Sequence, residues 1–290
     1  MKMIHITIFT PTYNRAHLLS RLYQSLRNQT CNDFEWLIVD DGSSDNTVEV
    51  VESFEKDHKI IIRYFSKQNG GKHTAINWGV KVAKGELFWI LDSDDSLPAN
   101  AVELLLNYFS QIKNEEVGGI CGYMAHHTGE VIGKPIVGQP QLVSSIEMRY
   151  KLGITGDMME VFKTSVLRET PFPEIPGERF CSEALIWNRI AQKYKLLLIP
   201  DVIYYRDYLD GGLTDNIVKI RMKSPVGTMM TYSELFALNI PLRYKLRSAI
   251  NYWRFAFCSR KRKVKIKSWG NLISPLGWIM HIIDKYKIKL

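Results

Sequence analysis

The sequence predicts an α/β fold with a mostly parallel central sheet, followed by a helical, basic C-terminal region. Three observations predict it. Strand and helix patterns alternate through the first hundred residues. Polar clusters recur where those strands stop, and positive charge collects after residue 217.

The elements can be justified in order. Ile4, Ile6 and Ile8 alternate as in a strand. The opening MKMIHITIFTPTYN has no basic region, apolar signal core or cleavage site, so it is expected to be a strand of a cytoplasmic protein, not a targeting peptide. After Pro11-Thr12-Tyr13-Asn14, Leu18, Leu19, Leu22 and Leu26 recur at helical spacing. Glu35 to Val39 reads as a second strand ending in Asp40-Asp41-Gly42-Ser43-Ser44-Asp45, and Val48, Val50, Val51 and Phe54 suggest the helix after it. Ile60 to Phe65 is a third strand, Asn69-Gly70-Gly71 a turn into a helix around Thr74 to Val82, and Leu87 to Leu91 a fourth strand. In open parallel sheets the carboxyl edge of the strands is where ligands bind. Val117 to Ile217 is less regular, with a helix expected at Glu183 to Lys193 and a strand at Leu196 to Ile199. Beyond it lie helices interrupted at Pro225, Pro241 and Pro275.

With 290 residues, 46% hydrophobic and 23% charged, the chain has the composition of a globular protein, which excludes a disordered or fibrous one. The net charge of +8 hides an asymmetry: Val218 to Leu290 carries 16 Lys and Arg against two acids (+14), and the rest carries 22 against 28 (−6). The expected division is therefore a domain over 1–217 and a basic tail over 218–290. No run reaches the ~18 apolar residues of a spanning helix. Cys31, Cys121, Cys181 and Cys258 are too scattered for a zinc site or disulfide framework.

Asp92-Ser93-Asp94-Asp95 follows directly on the apolar run Leu87 to Leu91. Three carboxylates within four residues repel one another near a buried strand end unless a divalent cation or hydroxyl donors compensate. Mg²⁺ or Mn²⁺, which prefer oxygen ligands, are the natural partners. The alternative is a solvated acidic turn that caps the helix after Pro98.

The ordered set Thr10-Pro11-Thr12-Tyr13-Asn14-Arg15, Val39-Asp40-Asp41-Gly42-Ser43, Asn69-Gly70-Gly71, Lys84-Gly85-Glu86 and Leu91-Asp92-Ser93-Asp94-Asp95 resembles the motifs of family 2 glycosyltransferases. The resemblance covers residues 3 to 215, is strongest up to Asp95, and implies that residues 1–100 bind the nucleotide-sugar while 101–217 form the acceptor side. It implies a GT-A fold and an inverting, metal-dependent transfer of one sugar from a nucleotide diphosphate sugar, UDP-linked by family habit, to a glycan or lipid-linked acceptor in bacterial surface polysaccharide synthesis. On it, Pro11, Thr12 and Tyr13 line the uracil pocket, Arg15 contacts the nucleotide-sugar and Asp40 accepts a hydrogen bond from the base. Asp94 contacts ribose or metal, Asp95 is the metal ligand and Asp92 supports both.

Two departures stand out. The family often places an arginine before the Asn77 position, facing the diphosphate; here Ile76 stands there, so Lys72 or His73 is expected to supply the charge unless both merely start a solvated helix. Some relatives carry a histidine metal ligand in the segment that here reads Tyr205-Arg206-Asp207-Tyr208-Leu209-Asp210. There is no Gln-x-x-Arg-Trp, the motif of processive synthases. The context of Glu183 resembles the family segment where an acid at a helix start takes the acceptor's proton, although Glu183 and Ser182 could simply cap that helix. Asp157, in Thr155-Gly156-Asp157-Met158, is the rival base and the expected acceptor-binding residue.

A sugar-nucleotide pyrophosphorylase should carry a Gly-rich loop with arginine after the first strand, which is absent. A nucleic-acid-binding protein could use the basic tail, but the acidic front half disfavours nucleic acid. In the tail, Arg260-Lys261-Arg262-Lys263, Lys265 and Lys267 precede Trp269, Leu272, Ile273, Leu276, Trp278, Ile279, Ile282 and Ile283. That pattern suits an in-plane anchor on the anionic inner face of the cell membrane. The same residues would also suit packing on the catalytic domain or in a homodimer.

Overall fold

The computed structural model describes residues 4–134, 138–207, 216–259 and 264–288. The chain forms two compact units, Met1–Pro171 with Ile190–Asp207 and Phe172–Arg189 with Tyr208–Leu290. Helix 183–190, which the sequence analysis grouped with the first domain, thus clusters with the C-terminal helices up to Arg189.

The first unit runs β1 (Ile6–Thr12), α1 (Ala16–Arg27), β2 (Phe34–Asp40), α2 (Thr47–Glu55), β3 (Ile61–Ser66), α3 (Lys72–Val82), β4 (Leu87–Ile90), α4 (Ala101–Ser110), β5 (Val117–Ala125), β6 (Gln141–Val143), α5 (Ser145–Tyr150), β7 (Met158–Lys163) and α6 (Thr164–Glu169). The chain returns to it as β8 (Lys195–Tyr205). These strands form a sheet in the order β3-β2-β1-β4-β7-β5-β8-β6. β3, β2, β1 and β4 are parallel, β5 and β8 run with them, and β7 and β6 run against.

β1, β2 and β4 are buried almost throughout, which a strand achieves only when both sheet faces are covered. On one face Leu19, Leu22 and Leu26 of α1 join Ile8, Trp36 and Trp89 in the core, with Tyr23 stacked on Phe54 at 4.2 Å. On the other, Gly79 of α3 lies so close to Phe9 that a Cβ would sit 2.3 Å from the ring.

β5 was not foreseen, because Val117-Gly118-Gly119-Ile120-Cys121-Gly122 is too rich in glycine to read as a strand. The glycines are required by the crowding around it. A Cβ at Gly119 would stand 2.1 Å from the Val161 carbonyl of β7, and one at Gly122 2.8 Å from the side chain of Ile203 on β8.

Glu35 is a buried fastener at the other end of the strands. Its carboxylate, fully sequestered, accepts from the Thr7 hydroxyl at 2.7 Å, the Lys84 N–H at 2.8 Å and the Arg63 guanidinium at 2.9 Å. Gly85 donates to the Thr7 hydroxyl oxygen at 2.9 Å and has no room for a side chain, since a Cβ would come within 2.3 Å of Thr7 N. Lys84-Gly85-Glu86 is thus a structural join between β1, β2 and β4.

The second unit consists of α7 (Glu183–Ile190, up to Arg189), α8 (Ile217–Lys223), α9 (Pro225–Ala237), α10 (Leu242–Ala256), a 3₁₀ turn (Ser268–Ile273) and α11 (Ser274–Ile288). Pro225 occupies the first turn of α9, Pro241 caps α10 and Pro275 lies in the first turn of α11, so the expected interruptions are helix starts, where proline's missing N–H costs nothing. Glu178 receives the Val226 and Gly227 N–H groups at 2.7 and 2.9 Å, satisfying amides at the start of α9 that have no partner within the helix. α10 packs between α9 and α11 around Met229, Phe236, Tyr252 and Trp253. A bidentate pair joins Arg254 to Asp284 at 2.5 and 2.6 Å. All four cysteines are free thiols.

Replacing Glu35 by alanine strands several buried donors at once. We expect E35A to lose about 3 kcal/mol of unfolding free energy in urea titration; a loss below ~1 kcal/mol would show that Glu35 is not the fastener.

Candidate active site

The parallel register sets the carboxyl ends of β1, β2 and β4 side by side: Thr12 pairs with Asp40 across β1 and β2, and Phe9 with Ile90 across β1 and β4. The loops that leave those ends are held by their own polar side chains. Asn14 accepts from Ser44 N–H at 2.7 Å while its own N–H meets the Ser43 hydroxyl at 2.8 Å, and Asp45 receives the Ala16 N–H that opens α1. Asp41 gathers the Gly70 and Gly71 N–H groups and Lys67 Nζ, each within 2.9 Å; glycines stand in this turn because Gly71 has φ +96° and a Cβ at Gly70 would lie 2.7 Å from Thr74 Oγ1.

Asp40 is almost fully buried. Ser43 N–H donates to one oxygen at 2.8 Å and the Tyr64 hydroxyl to the other at 2.7 Å. Beside it the buried Thr12 hydroxyl has no hydrogen-bond partner among the described residues. Tyr13 is half exposed.

The acidic turn after β4 is the densest cluster. Asp92, Asp94 and Asp95 each place an oxygen within 4.8 Å of the other two, the one such group among the described residues. Lys72, from the first turn of α3, pairs with Asp92 at 2.7 Å. Arg15 pairs with Asp94 at 3.0 Å, and Arg21 donates to the Asp94 carbonyl. His73, the next residue of α3, is buried.

Two residues that sequence reasoning passed over come from the end of β8. The Tyr204 hydroxyl donates to Asp95 Oδ2 at 2.7 Å and accepts the Asp92 N–H at 3.0 Å. Arg206 pairs with Asp157 at 3.0 Å, so the expected acceptor residue is tied to the same strand end. Backbone bonds between Ser96 and Tyr205, at 3.0 and 2.9 Å, seal the acidic turn to β8. His127 meets the same segment, its Nε2 lying 2.8 Å from Ser96 Oγ and its Nδ1 2.6 Å from Asp207. No residue spacing could have signalled these contacts, since they join positions 31 to 112 apart. Glu183 belongs to the second unit, where it opens α7. Tyr208, Leu209 and Asp210 lie outside the described residues.

The three carboxylates are not equivalent. Burial raises the proton affinity of Asp92, but the charge and hydrogen bond of Lys72 overcome it and hold Asp92 below the usual carboxylate range. Burial together with the neighbouring Asp92 pushes Asp95 up to about 7, against the Tyr204 hydrogen bond and the charge of Arg206. Asp95 is the member whose charge the protein compensates least. An all-oxygen donor set containing one such carboxylate fits a hard divalent cation, Mg²⁺ or Mn²⁺.

An acid whose pKa is higher in the folded chain than its unfolded value near ~4 burdens the fold, by nothing below pH ~4 and progressively more up to pH ~7. We therefore expect metal-free D95N to melt several degrees above the unsubstituted protein at pH 8, with the gap closing as pH falls from 7 to 4. Equal melting temperatures at pH 8 would show that Asp95 carries no such strain.

Comparison with known proteins gives this arrangement a family. A family model described as Glycosyl transferase family 2 matches residues 7–158. The GalNAc(5)-diNAcBac-PP-undecaprenol beta-1,3-glucosyltransferase of Campylobacter jejuni is 29% identical over 219 residues, which span 73% of this chain and 68% of that protein. S. aureus TarS 1-349 in complex with UDP-GlcNAc superposes with a TM-score of 0.63 at 15% identity, over 98% of this chain and 92% of that one. The Pyrobaculum calidifontis mannosyltransferase PcManGT, in complex with GDP-Man and Mn²⁺, does so with a TM-score of 0.56 at 18% identity, over 98% and 75%. At such identities the two structures speak for the GT-A fold alone. The family match takes in β1 to β4, the acidic turn and every motif from Thr10 to Asp95, and on that ground the chain belongs to glycosyl transferase family 2 and is a glycosyltransferase.

Proposed function

We propose that the chain transfers a single sugar, with inversion, from a UDP-linked donor to a glycan or lipid-linked acceptor in bacterial surface polysaccharide synthesis. The observation that carries this reading is the acidic turn with its cations, lying beside the Thr12–Asp40 corner on one sheet edge. The buried Thr12 hydroxyl and the Asp40 carboxylate, whose oxygens each keep a lone pair, suit a uracil ring that stacks near Tyr13 and Pro11. TarS supports the donor class through its UDP-GlcNAc complex, and the Campylobacter relative supports the acceptor class through the undecaprenol diphosphate in its name.

Asp94 and Asp95 are the proposed ligands of Mn²⁺ or Mg²⁺, with Asp92 in support. When bound, such a cation supplies positive charge against the departing diphosphate. Lys72 and Arg15, which pair with Asp92 and Asp94, are cations able to turn toward the diphosphate oxygens, with His73 behind them. Asp157, held by Arg206, is the proposed acceptor-binding residue.

Glu183 is the proposed base. The acceptor hydroxyl gives up its proton to the Glu183 carboxylate as its oxygen bonds to the anomeric carbon. The carbon–oxygen bond to the nucleotide diphosphate breaks on the opposite face, and the configuration inverts in one displacement through an oxocarbenium-like state. We expect E183Q to bind UDP normally and lower kcat by about 10³-fold, measured by donor-sugar transfer in a panel of UDP-, GDP- and dTDP-sugars with Mn²⁺. Near-normal turnover by E183Q together with an inactive D157N would move the role to Asp157.

We further propose a peripheral site of action on the inner membrane face. No described helix is long and apolar enough to cross a membrane. From Ser268 to Ile283 there is no charged residue, yet Trp269, Leu272, Leu276, Trp278, Ile279, Ile282 and Ile283 are exposed, between Lys265 and Lys267 on one side and Lys285 and Lys287 on the other. The run Arg260 to Lys263 lies outside the described residues. Exposed apolar surface on this scale, rimmed by lysine, suits an anionic lipid interface. The protein should pellet with phosphatidylglycerol vesicles at low salt and not with phosphatidylcholine. Retention in the supernatant as a dimer by light scattering would assign the face to a second copy.

A further inference from the structure

We propose that Tyr204 is a positioning residue for the metal-binding carboxylate, holding Asp95 Oδ2 so that Oδ1 stays available to a cation. The inference rests on the metal reading above and adds to it a residue that lies more than a hundred positions from the acidic turn.

The geometry is that of a brace. One hydroxyl serves both ends of the turn, donating to Asp95 Oδ2 at 2.7 Å and accepting from the Asp92 N–H at 3.0 Å. The turn closes on itself through the Asp95 N–H to the Asp92 carbonyl at 3.1 Å, and on β8 through the paired backbone of Ser96 and Tyr205. The ring of Tyr204 is 2% exposed and packed in the main core cluster, so the hydroxyl that reaches Asp95 is fixed by the sheet. Asp95 is itself 2% exposed, leaving little room for water to replace a lost donor. Without the hydroxyl the carboxylate is free to rotate and to turn Oδ1 out of the cluster, and the Asp92 N–H loses its acceptor. Partners that orient a ligating carboxylate in this way typically govern 10- to 100-fold in metal affinity.

The experiment measures Mn²⁺ affinity directly, by electron paramagnetic resonance titration of free Mn²⁺, with and without UDP, in the full chain. We expect Y204F to melt cooperatively and to bind Mn²⁺ about 10- to 100-fold more weakly. Y204M, which fills the core without a hydroxyl, should lose as much and serves if Y204F fails to fold. Y108F is the control, since it removes an equivalent tyrosine-to-carboxylate bond, to Asp201 at 2.8 Å, and should leave Mn²⁺ affinity unchanged. Mn²⁺ affinity in Y204F within twofold of the unsubstituted protein, or an equal loss in Y108F, overturns the assignment. Failure of the unsubstituted protein itself to bind Mn²⁺ or Mg²⁺ overturns the metal reading on which it stands.

Discussion

Three carboxylates held within 4.8 Å of one another at the end of a buried strand constitute the electrostatic problem around which the first unit is organised. Like charges at that separation, partly withdrawn from water, destabilise the chain unless something opposite meets them. Four side chains contribute, from three elements: Arg15 from the loop after β1, Lys72 from the start of α3, and Tyr204 and Arg206 from the end of β8. Each acts through the element that carries it, so the site requires the parallel strands β1, β4 and β8 to end on the same edge of one sheet. Compensation is uneven. Asp92 and Asp94 each receive a basic side chain, and Asp95 receives a neutral hydroxyl.

The same residue types do quite different work a few ångströms of chain away. Asp41 and Asp45 sit in the motif region as Asp40 does, yet they collect backbone N–H groups at a Gly-Gly turn and at a helix start. They shape the rim of the site and are themselves occupied in doing so. Lys84-Gly85-Glu86 likewise belongs to the family pattern for a structural reason: Gly85 is the point at which no Cβ fits against β1. A motif residue can therefore be required by the loop that carries the ligand as well as by the ligand itself.

The second unit solves a separate problem, that of holding a helix with an apolar outer surface. α11 is anchored on α10 by the Arg254–Asp284 pair and by Gly277, where a Cβ would meet the Trp253 side chain at 2.2 Å. That narrow contact, lined by Gly277, His281 and Asp284, leaves most of the helix circumference uncovered. Contiguous exposed apolar surface is uncommon on monomeric soluble proteins, and here it runs through two turns and more.

Much of the first unit was legible in the sequence by itself. β1 to β4 and the helices between them, the acidic turn and the pairing of charge with position all follow from apolar periodicity broken by polar stops, which are local properties of the chain. β5 was not legible, because its glycines obey the crowding of β7 and β8 and so run against strand propensity. Nor were Tyr204 and Arg206: in the linear sequence they are an unremarkable end to an apolar run, and they become partners of Asp95, Asp92 and Asp157 only once β8 lies beside β5 and the Ser96–Tyr205 bridge forms. The sequence determined which carboxylates, cations and hydroxyls the site has to work with, since that is chemistry carried by each side chain. Only the tertiary structure decided which carboxylate is compensated least, because Arg15, Lys72, Tyr204 and Arg206 reach the acidic turn from the loop after β1, from α3 and from β8, an arrangement encoded at no single position.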